Sequence, residues 1–192
     1  MIPPDLVIVL LWMVFLLVWV ATGGSTKPTA EAVSRRHELA HRLPMFVGAL
    51  LIFFGHRVRP QLGRLDTRLW PATPLRDWLA IGIVFVGLLI ALCARFALGT
   101  NWSGRVTIKQ DHALITSGPY AWVRHPIYTG ILLMIGGSAL AIATPMAFIG
   151  FMVFLAGVVI KLRQEEGLMM RQFPGSYPDY RRRVKRLVPF VW

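Results

Sequence analysis

The stretch Arg124 to Glu166, RHPIYTGILLMIGGSALAIATPMAFIGFMVFLAGVVIKLRQEE, contains two apolar runs, residues 127–143 and 146–162. Pro126 and Pro145 stand immediately before these runs. A proline suits the first turn of a helix because its missing N–H would have no partner there. The pattern therefore predicts a helical hairpin that crosses a membrane and returns.

The second helix of this hairpin meets no breaker before Pro174, so it should reach about 42 Å at a rise of 1.5 Å per residue. A hydrocarbon core is only about 30 Å thick. The excess contains Glu165 and Glu166, and equal run lengths bring them level with Arg124 and His125. Adjacent helical residues point about 100° apart, so only one glutamate need face the partner helix.

The rest of the chain also has the character of a membrane protein. Of 192 residues, 55% are hydrophobic, which is too apolar for a typical soluble domain. A second span at 43–54 would be short for a bilayer. We predict an all-α fold, a polytopic membrane helical bundle of about five transmembrane helices in a single membrane domain, residues 1–192. The five candidate spans are 6–21, 43–54, 78–98, 127–143 and 146–162.

The formal net charge of +12 is unevenly distributed along the chain. Basic residues concentrate after Leu162, whereas the turn at 143–145 has none. This asymmetry follows the positive-inside rule and predicts a cytoplasmic tail, with membrane lipids rather than nucleic acid as the partner. The arginines of residues 57–76 oppose this topology, because five spans place their loop outside.

The cysteine, histidine and glycine residues form no recognisable metal-binding or nucleotide-binding motif in the sequence. Cys93 is the only cysteine and lies in an apolar run, which excludes an intramolecular disulfide and a cysteine zinc site. His37, His41 and His56 lack metal-ligand spacing, and the sequence has no Gly-rich dinucleotide or Walker motif. We predict no metal and assign these histidines no role.

The polar groups at the hairpin's open end have two interpretations. Arg124 could extend to lipid headgroups while His125 caps the helix, or the pair could form an anion site at a helix N-terminus. The glutamates could equally pair with tail arginines or bind a ligand. In the tail, Arg181 to Arg183 resemble a headgroup-binding patch together with Lys185 and Arg186, and Tyr177, Tyr180 and Trp192 suit the same interface.

Short motifs across about residues 95–190 together resemble the isoprenylcysteine carboxyl methyltransferase family. They are Leu98-Gly99-x-x-Trp102-Ser103, His112-x-Leu114, Gly118-Pro119-Tyr120, Val123-Arg124-His125-Pro126-x-Tyr128, Glu165-Glu166 and Phe173-x-x-x-Tyr177-x-x-Tyr180. The resemblance divides the domain into N-terminal helices, 1–94, and a methyltransferase-like catalytic region, 95–192. Pro174 departs from the family's Phe-Gly pattern.

The resemblance implies an integral-membrane, multi-pass enzyme whose C-terminal half forms a pocket for S-adenosylmethionine on the cytoplasmic side. Its reaction would be methyl transfer to a lipid-like or prenylated acceptor, most simply carboxyl O-methylation of an isoprenylcysteine-type substrate. A carboxylate is already ionised, so the reaction needs alignment and exclusion of water rather than a base.

The cofactor and the acceptor would use different side chains. His125 and the helix start would hold the cofactor carboxylate, Glu165 or Glu166 its ribose or amine, and Tyr120 and Tyr128 its adenosine. Arg183, or else Arg181, would clamp the acceptor, with Arg183 and Glu166 as the catalytic pair. The full cofactor-binding set is His112, Leu114, Gly118, Tyr120, Arg124, His125, Tyr128, Glu165 and Glu166.

Three other functions compete with this prediction. A phospholipid or other small-amphiphile methyltransferase would need a base for an amine acceptor, and its rate would rise steeply with pH. An NADPH-dependent reductase of the sterol type has a similar C-terminal part. A non-enzymatic membrane scaffold would bind neither cofactor. The sequence leaves the oligomeric state open.

Overall fold

The computed structural model describes residues 2–24, 29–32, 34–55, 65, 67–102, 107–109 and 114–192. Helices dominate these residues, so the all-α prediction is confirmed, with one short antiparallel ribbon in addition. The helices are α1 Pro4–Gly23, α2 Arg35–Phe54, α3 Pro74–Leu98, α4 Pro126–Ile142, α5 Pro145–Gln172 and α6 Tyr177–Arg183. The ribbon pairs β1, Thr29–Ala32, with β2, Thr107–Lys109.

Each of the five predicted runs forms a helix, which confirms the membrane helical bundle. By length and composition, three described helices are apolar enough to cross a membrane: α1, α3 with its following turn, and α5. Helix α4 is apolar but has only 17 residues. Helix α2 starts at Arg35 and runs into the predicted span 43–54, and Ser34 caps it by accepting from His37 N.

Contacts between helix ends show that the five long helices alternate in direction. At one end, Arg95 Nη2 donates to Thr22 O at 2.6 Å, and Gln164 Nε2 donates to His37 O at 2.9 Å. At the other end, Leu69 N donates to Ala143 O at 2.8 Å. The connection after α3 and the tail therefore lie at the same end of the bundle, as the five-helix topology requires.

One of the arginines that opposed the charge rule is neutralised locally. Arg76 is 9% exposed, donates to Asp77 Oδ1 at 2.7 Å and also donates to Pro71 O at 3.1 Å. A paired and buried arginine carries little weight as a topological signal. Arg57, Arg59 and Arg64 lie outside the described residues.

Glycines set the distances between the helices. A Cβ on Gly87 of α3 would lie 2.6 Å from Gly130 O of α4, and one on Gly130 would lie 2.5 Å from Gly87 O. Gly48 of α2 and Gly150 of α5 make the same reciprocal approach, at 2.6 and 2.7 Å. Small residues at such crossings allow backbones in lipid to pack closely. These two crossings hold α3 on α4 and α2 on α5.

Replacing Gly87 with alanine should separate α3 from α4, because the new methyl group would meet backbone rather than a movable side-chain end. We expect a loss of about 1–3 kcal/mol in the free energy of unfolding, typical of overpacking. The measurement is reversible unfolding in detergent. Gly82→Ala is the matched control on the same helix, since a Cβ there meets nothing within 4 Å. Equal stability of the two variants would contradict the packing argument.

Candidate active site

The open end of the α4–α5 hairpin brings the predicted polar pairs together. Helix α4 starts immediately after His125, and α5 continues far enough to place Glu165 and Glu166 beside it. His125 Nδ1 lies 3.5 Å from Glu165 Oε2, and His125 Nε2 lies 3.3 Å from Glu166 Oε1. The sequence required only one glutamate to face the partner helix, but both do, because each ring nitrogen of His125 lies beside a different carboxylate.

Glu166 is the most heavily coordinated residue of this cluster. It is 4% exposed, and its Oε1 accepts from Arg124 Nε at 3.1 Å and Nη2 at 2.7 Å. Arg186 adds Nε to the same oxygen at 3.0 Å and Nη2 to Oε2 at 2.7 Å. Charge-assisted bonds of this kind compensate the cost of burying a carboxylate. Glu166 therefore joins the start of α4 to the tail.

The tail is also held by its backbone. We call residues 184–187 the tail strap: Arg124 N donates to Lys185 O at 2.7 Å and His125 N to Arg186 O at 3.1 Å. Thr129 Oγ1 donates to Leu187 O at 2.8 Å. Arg124 Nη1 donates to the carbonyls of Arg181 and Val184. Arg124 is thus engaged on every side by protein groups and acts as a positioning residue.

A tyrosine pair closes the other side of the cluster. Gly118, at φ +60°, begins a 3₁₀ turn in a backbone conformation that favours glycine, and this turn carries Tyr120. Tyr120 is 7% exposed, and its backbone oxygen accepts from Tyr180 Oη at 2.6 Å. Burial raises the pKa of Tyr180 to about 12. Tyr177 and Tyr180 are buried, so placing them at the lipid interface was wrong.

Glu165 differs from Glu166 in its surroundings. Its Oε1 accepts one hydrogen bond, from Tyr128 Oη at 2.6 Å, and its side chain is 22% exposed. The rings of Tyr128 and His125 have their centroids 6.0 Å apart. Glu165 is therefore the carboxylate of the pair with hydrogen-bonding capacity left for a ligand.

Opposing effects set the charge of His125. Burial alone would lower its pKa, but hydrogen bonds and charges from Glu165 and Glu166 outweigh burial and raise it. The hydrogen bonds to Glu166 likewise raise the pKa of Arg186. The imidazolium form of His125 is thus favoured at the start of α4.

The remaining predicted residues have varied surroundings. Leu114 is half-buried and Gly118 exposed, whereas His112 lies outside the described residues. Arg183 is exposed on α6, and its Nε donates to Asp179 O at 3.4 Å. Within the described parts of the chain, no group of three His, Cys, Asp or Glu side chains could hold a metal ion.

Sequence reasoning missed two inward-facing residues. Arg186 was predicted to lie in the headgroup-binding patch of the tail. The signal against that prediction is the next residue, Leu187, an apolar residue in a basic run that is only 3% exposed. His41 received no role, yet it is fully buried, and its Nδ1 lies 2.8 Å from Gln164 Oε1 and 3.0 Å from His37 O. That contact ties α2 to the polar end of α5.

The fold and the site define a helical integral-membrane protein with a buried charged site at one end of the bundle. Residues 79–171 match the sequence profile of the isoprenylcysteine carboxyl methyltransferase (ICMT) family. The predicted resemblance is thereby confirmed. Helix α2 and the tail strap lie outside the matched segment.

Similar proteins agree with this assignment. The chain is 30% identical over 133 residues to the protein-S-isoprenylcysteine O-methyltransferase of Mus musculus, covering 66% of this chain and 47% of the relative. The Xenopus laevis protein of the same name is 27% identical over 136 residues, covering 66% and 46%. The chain thus spans about half the length of the curated relatives it matches.

A solved structure shares the fold. It is the eukaryotic intramembrane Ras methyltransferase ICMT (isoprenylcysteine carboxyl methyltransferase), with a TM-score of 0.56 at 21% identity. The match covers 83% of this chain and 55% of the solved one. It therefore extends beyond the segment that the family profile matches and supports the membrane fold.

Replacing Glu166 with glutamine should destabilise the protein more than the same change at Glu165. Glu166→Gln leaves Arg124 and Arg186 buried or half-buried without their anion, a loss of about 3–5 kcal/mol for a buried pair. Glu165→Gln is the matched control, because its carboxylate has fewer donors and more exposure. Unfolding in detergent measures both. Equal destabilisation would mean that Glu166 does not hold the tail strap.

The raised pKa of His125 predicts a pH-dependent stability. Below the unfolded value of about 6.5 both states carry the proton, and the imidazolium's contribution is complete. As pH rises through the folded pKa, that contribution is lost, so the free energy of unfolding should fall above about pH 6.5. His125→Gln should flatten this slope. An unchanged slope in the variant would contradict the prediction.

Proposed function

We propose that this protein transfers a methyl group from S-adenosylmethionine to the carboxylate of a lipid-like, isoprenylcysteine-type acceptor at the membrane. The observation that carries the proposal is the cluster in which His125 lies between Glu165 and Glu166. It falls in the segment that matches the ICMT family profile, and similar curated proteins are named for this reaction. The site combines both charge signs with tyrosines.

This donor set fits the proposed cofactor, which carries a carboxylate, an ammonium, a sulfonium, two ribose hydroxyls and an adenine. Glu165 would accept from the ammonium or the ribose hydroxyls, because its side chain is 22% exposed, against 5% for Glu166. Glu166 would organise the site rather than contact the cofactor, since Arg124 and Arg186 already surround it. These contacts favour Glu165 over Glu166 as the proposed cofactor ligand.

The start of α4 would attract the cofactor's carboxylate. The first-turn amides of Ile127 and Tyr128 have no intrahelical acceptor, and the positive end of the helix dipole favours an anion. Both ring nitrogens of His125 face glutamates, so His125 would contribute its positive charge and orient Glu165. Tyr120, Tyr128 and Leu114 would supply the apolar and aromatic walls for adenosine.

When bound, the cofactor would supply a methyl group on a positively charged sulfur. An acceptor carboxylate is ionised near neutral pH, so no residue of this chain has to remove a proton from it. The protein's tasks are to align the acceptor and exclude water. Arg183 remains the proposed acceptor clamp, because it is exposed at the end of α6 whereas Arg124 and Arg186 bind Glu166.

The site would face the cytoplasm. It lies at the end of the bundle that carries the basic tail, and basic segments are retained on the cytoplasmic side. Entry of a water-soluble cofactor from that side and of an amphiphilic acceptor from the bilayer is consistent with a site at the end of the hairpin.

Binding of S-adenosylhomocysteine, measured by calorimetry in detergent beside NADPH, tests the cofactor assignment. We expect saturable binding of the former alone. Glu165→Gln should weaken it about tenfold to a hundredfold, the value of one charge-assisted hydrogen bond. Cys93→Ala is the control, because the Cys93 side chain is exposed. Binding of NADPH alone, or full affinity in Glu165→Gln, would reject the assignment.

Turnover with defined acceptors tests the reaction. An S-prenylated N-acylcysteine should be methylated at a rate that depends little on pH, because its carboxylate needs no base. Arg183→Gln should raise the KM for this acceptor while leaving cofactor affinity unchanged. Methylation of an amine-headed phospholipid, with a rate that rises steeply with pH, would instead establish the amine-acceptor alternative.

A further inference from the structure

Three apolar side chains next to the site face outward. Trp122 is 64% exposed, Phe190 83% and Val191 73%. The rings of Trp122 and Phe190 approach each other at 6.5 Å between centroids and 85° between planes. Trp122 stands three residues before His125, the N-cap of α4, which puts it where that helix leaves the hydrocarbon. We call these three residues the tail tip.

The backbone that presents the tail tip is strained. Phe190 has φ +65°, a left-handed conformation that is a true outlier for a bulky residue. The turn around it is closed by Leu187 N and Val188 N, which donate to Trp192 O at 2.7 and 2.6 Å. Strain of this kind persists only when surrounding contacts impose it. The turn thus fixes a phenyl ring that is largely exposed to its surroundings.

Basic side chains surround the tail tip. Arg181 and Arg182 have side chains that are 49% and 74% exposed, and Arg183 and Lys185 are exposed as well. Asp179, the acidic partner of Arg182, is the one acidic residue among positions 177–192. Aromatic and aliphatic side chains flanked by such cations are typical of surfaces that enter the interface of an anionic leaflet.

We propose that the tail tip is a docking surface for anionic membrane lipid. Phe190, Val191 and Trp122 enter the interfacial layer, and the exposed cations of Arg181 and Lys185 contact the lipid phosphates. The match between exposed apolar rings and surrounding positive charge favours a leaflet over a protein surface. This inference concerns the membrane and is independent of the proposed methyl transfer.

Docking would also act on the site. The turn follows directly on Arg186, whose guanidinium binds Glu166, and the tail strap accepts from the amides of Arg124 and His125. A tail seated on the leaflet therefore holds the strap against the start of α4. The lipid would thus help to hold the tail strap in contact with the site.

A fluorophore at position 190 tests the proposal directly. Phe190→Cys in a Cys93→Ala background is labelled with an environment-sensitive dye and placed in nanodiscs with or without about one third anionic lipid. We expect blue-shifted emission, strong quenching by lipid-attached nitroxide and weak quenching by iodide, most marked with anionic lipid. Arg182→Cys, labelled in the same way, is the matched control and should remain accessible to iodide.

Equal iodide quenching at positions 190 and 182 in both lipid mixtures would overturn the proposal. Energy transfer between labels at position 190 in discs that hold two copies would overturn it too, since a second copy would then cover the tail tip. Cofactor binding is measured separately, by calorimetry in detergent, so failure here is distinct from failure of the proposed function.

A second variant separates docking from folding. Phe190→Gly relieves the positive φ, so its melting temperature in detergent should be no lower than that of the wild type. In the same variant, a dye on Val191→Cys should lose its protection from iodide. If that dye stays buried in lipid without the phenyl ring, Phe190 is not the anchor and the proposal fails.

Discussion

The carboxylate of Glu166, buried between Arg124 and Arg186, is the interaction on which the arrangement of the site depends. It connects the start of α4, the end of α5 and the tail. A carboxylate buried without partners would be costly. Glu166 therefore holds the guanidinium groups of Arg124 and Arg186 in place as long as all three segments are assembled. His125 and Glu165 inherit their geometry from this arrangement.

Close helix packing provides the base for that interaction. The reciprocal approaches of Gly87 to Gly130 and of Gly48 to Gly150 fix the helix pairs at a distance that a methyl group would disturb. Since α4 and α5 belong to different pairs, the hairpin is held from both flanks. The polar cluster can therefore sit at the end of a rigid framework while the tail supplies its third side.

The hairpin geometry was predictable because prolines mark both helix starts and the apolar runs have equal length. Glu165 and Glu166 consequently met His125 as expected. The sequence did not predict that Arg186, rather than a neighbouring basic residue, would bind Glu166, nor that Tyr177 and Tyr180 would be buried. Both depend on the path of the chain after Gly175, and no local periodicity encodes that path. His41 was missed for a related reason: its partner Gln164 lies on a distant helix, and hydrogen bonds between helices leave no mark in sequence spacing.

The tail strap has a consequence for biosynthesis. Residues 184–187 leave the ribosome only after α5 has been made, and until then Glu166 lacks Arg186 and the amides of Arg124 and His125 lack their acceptors. The charged cluster thus cannot close until the tail strap has been synthesised. A growing chain would pass through a state in which α4 and α5 have been made but the site is unassembled, and synthesis of the tail strap would end that state.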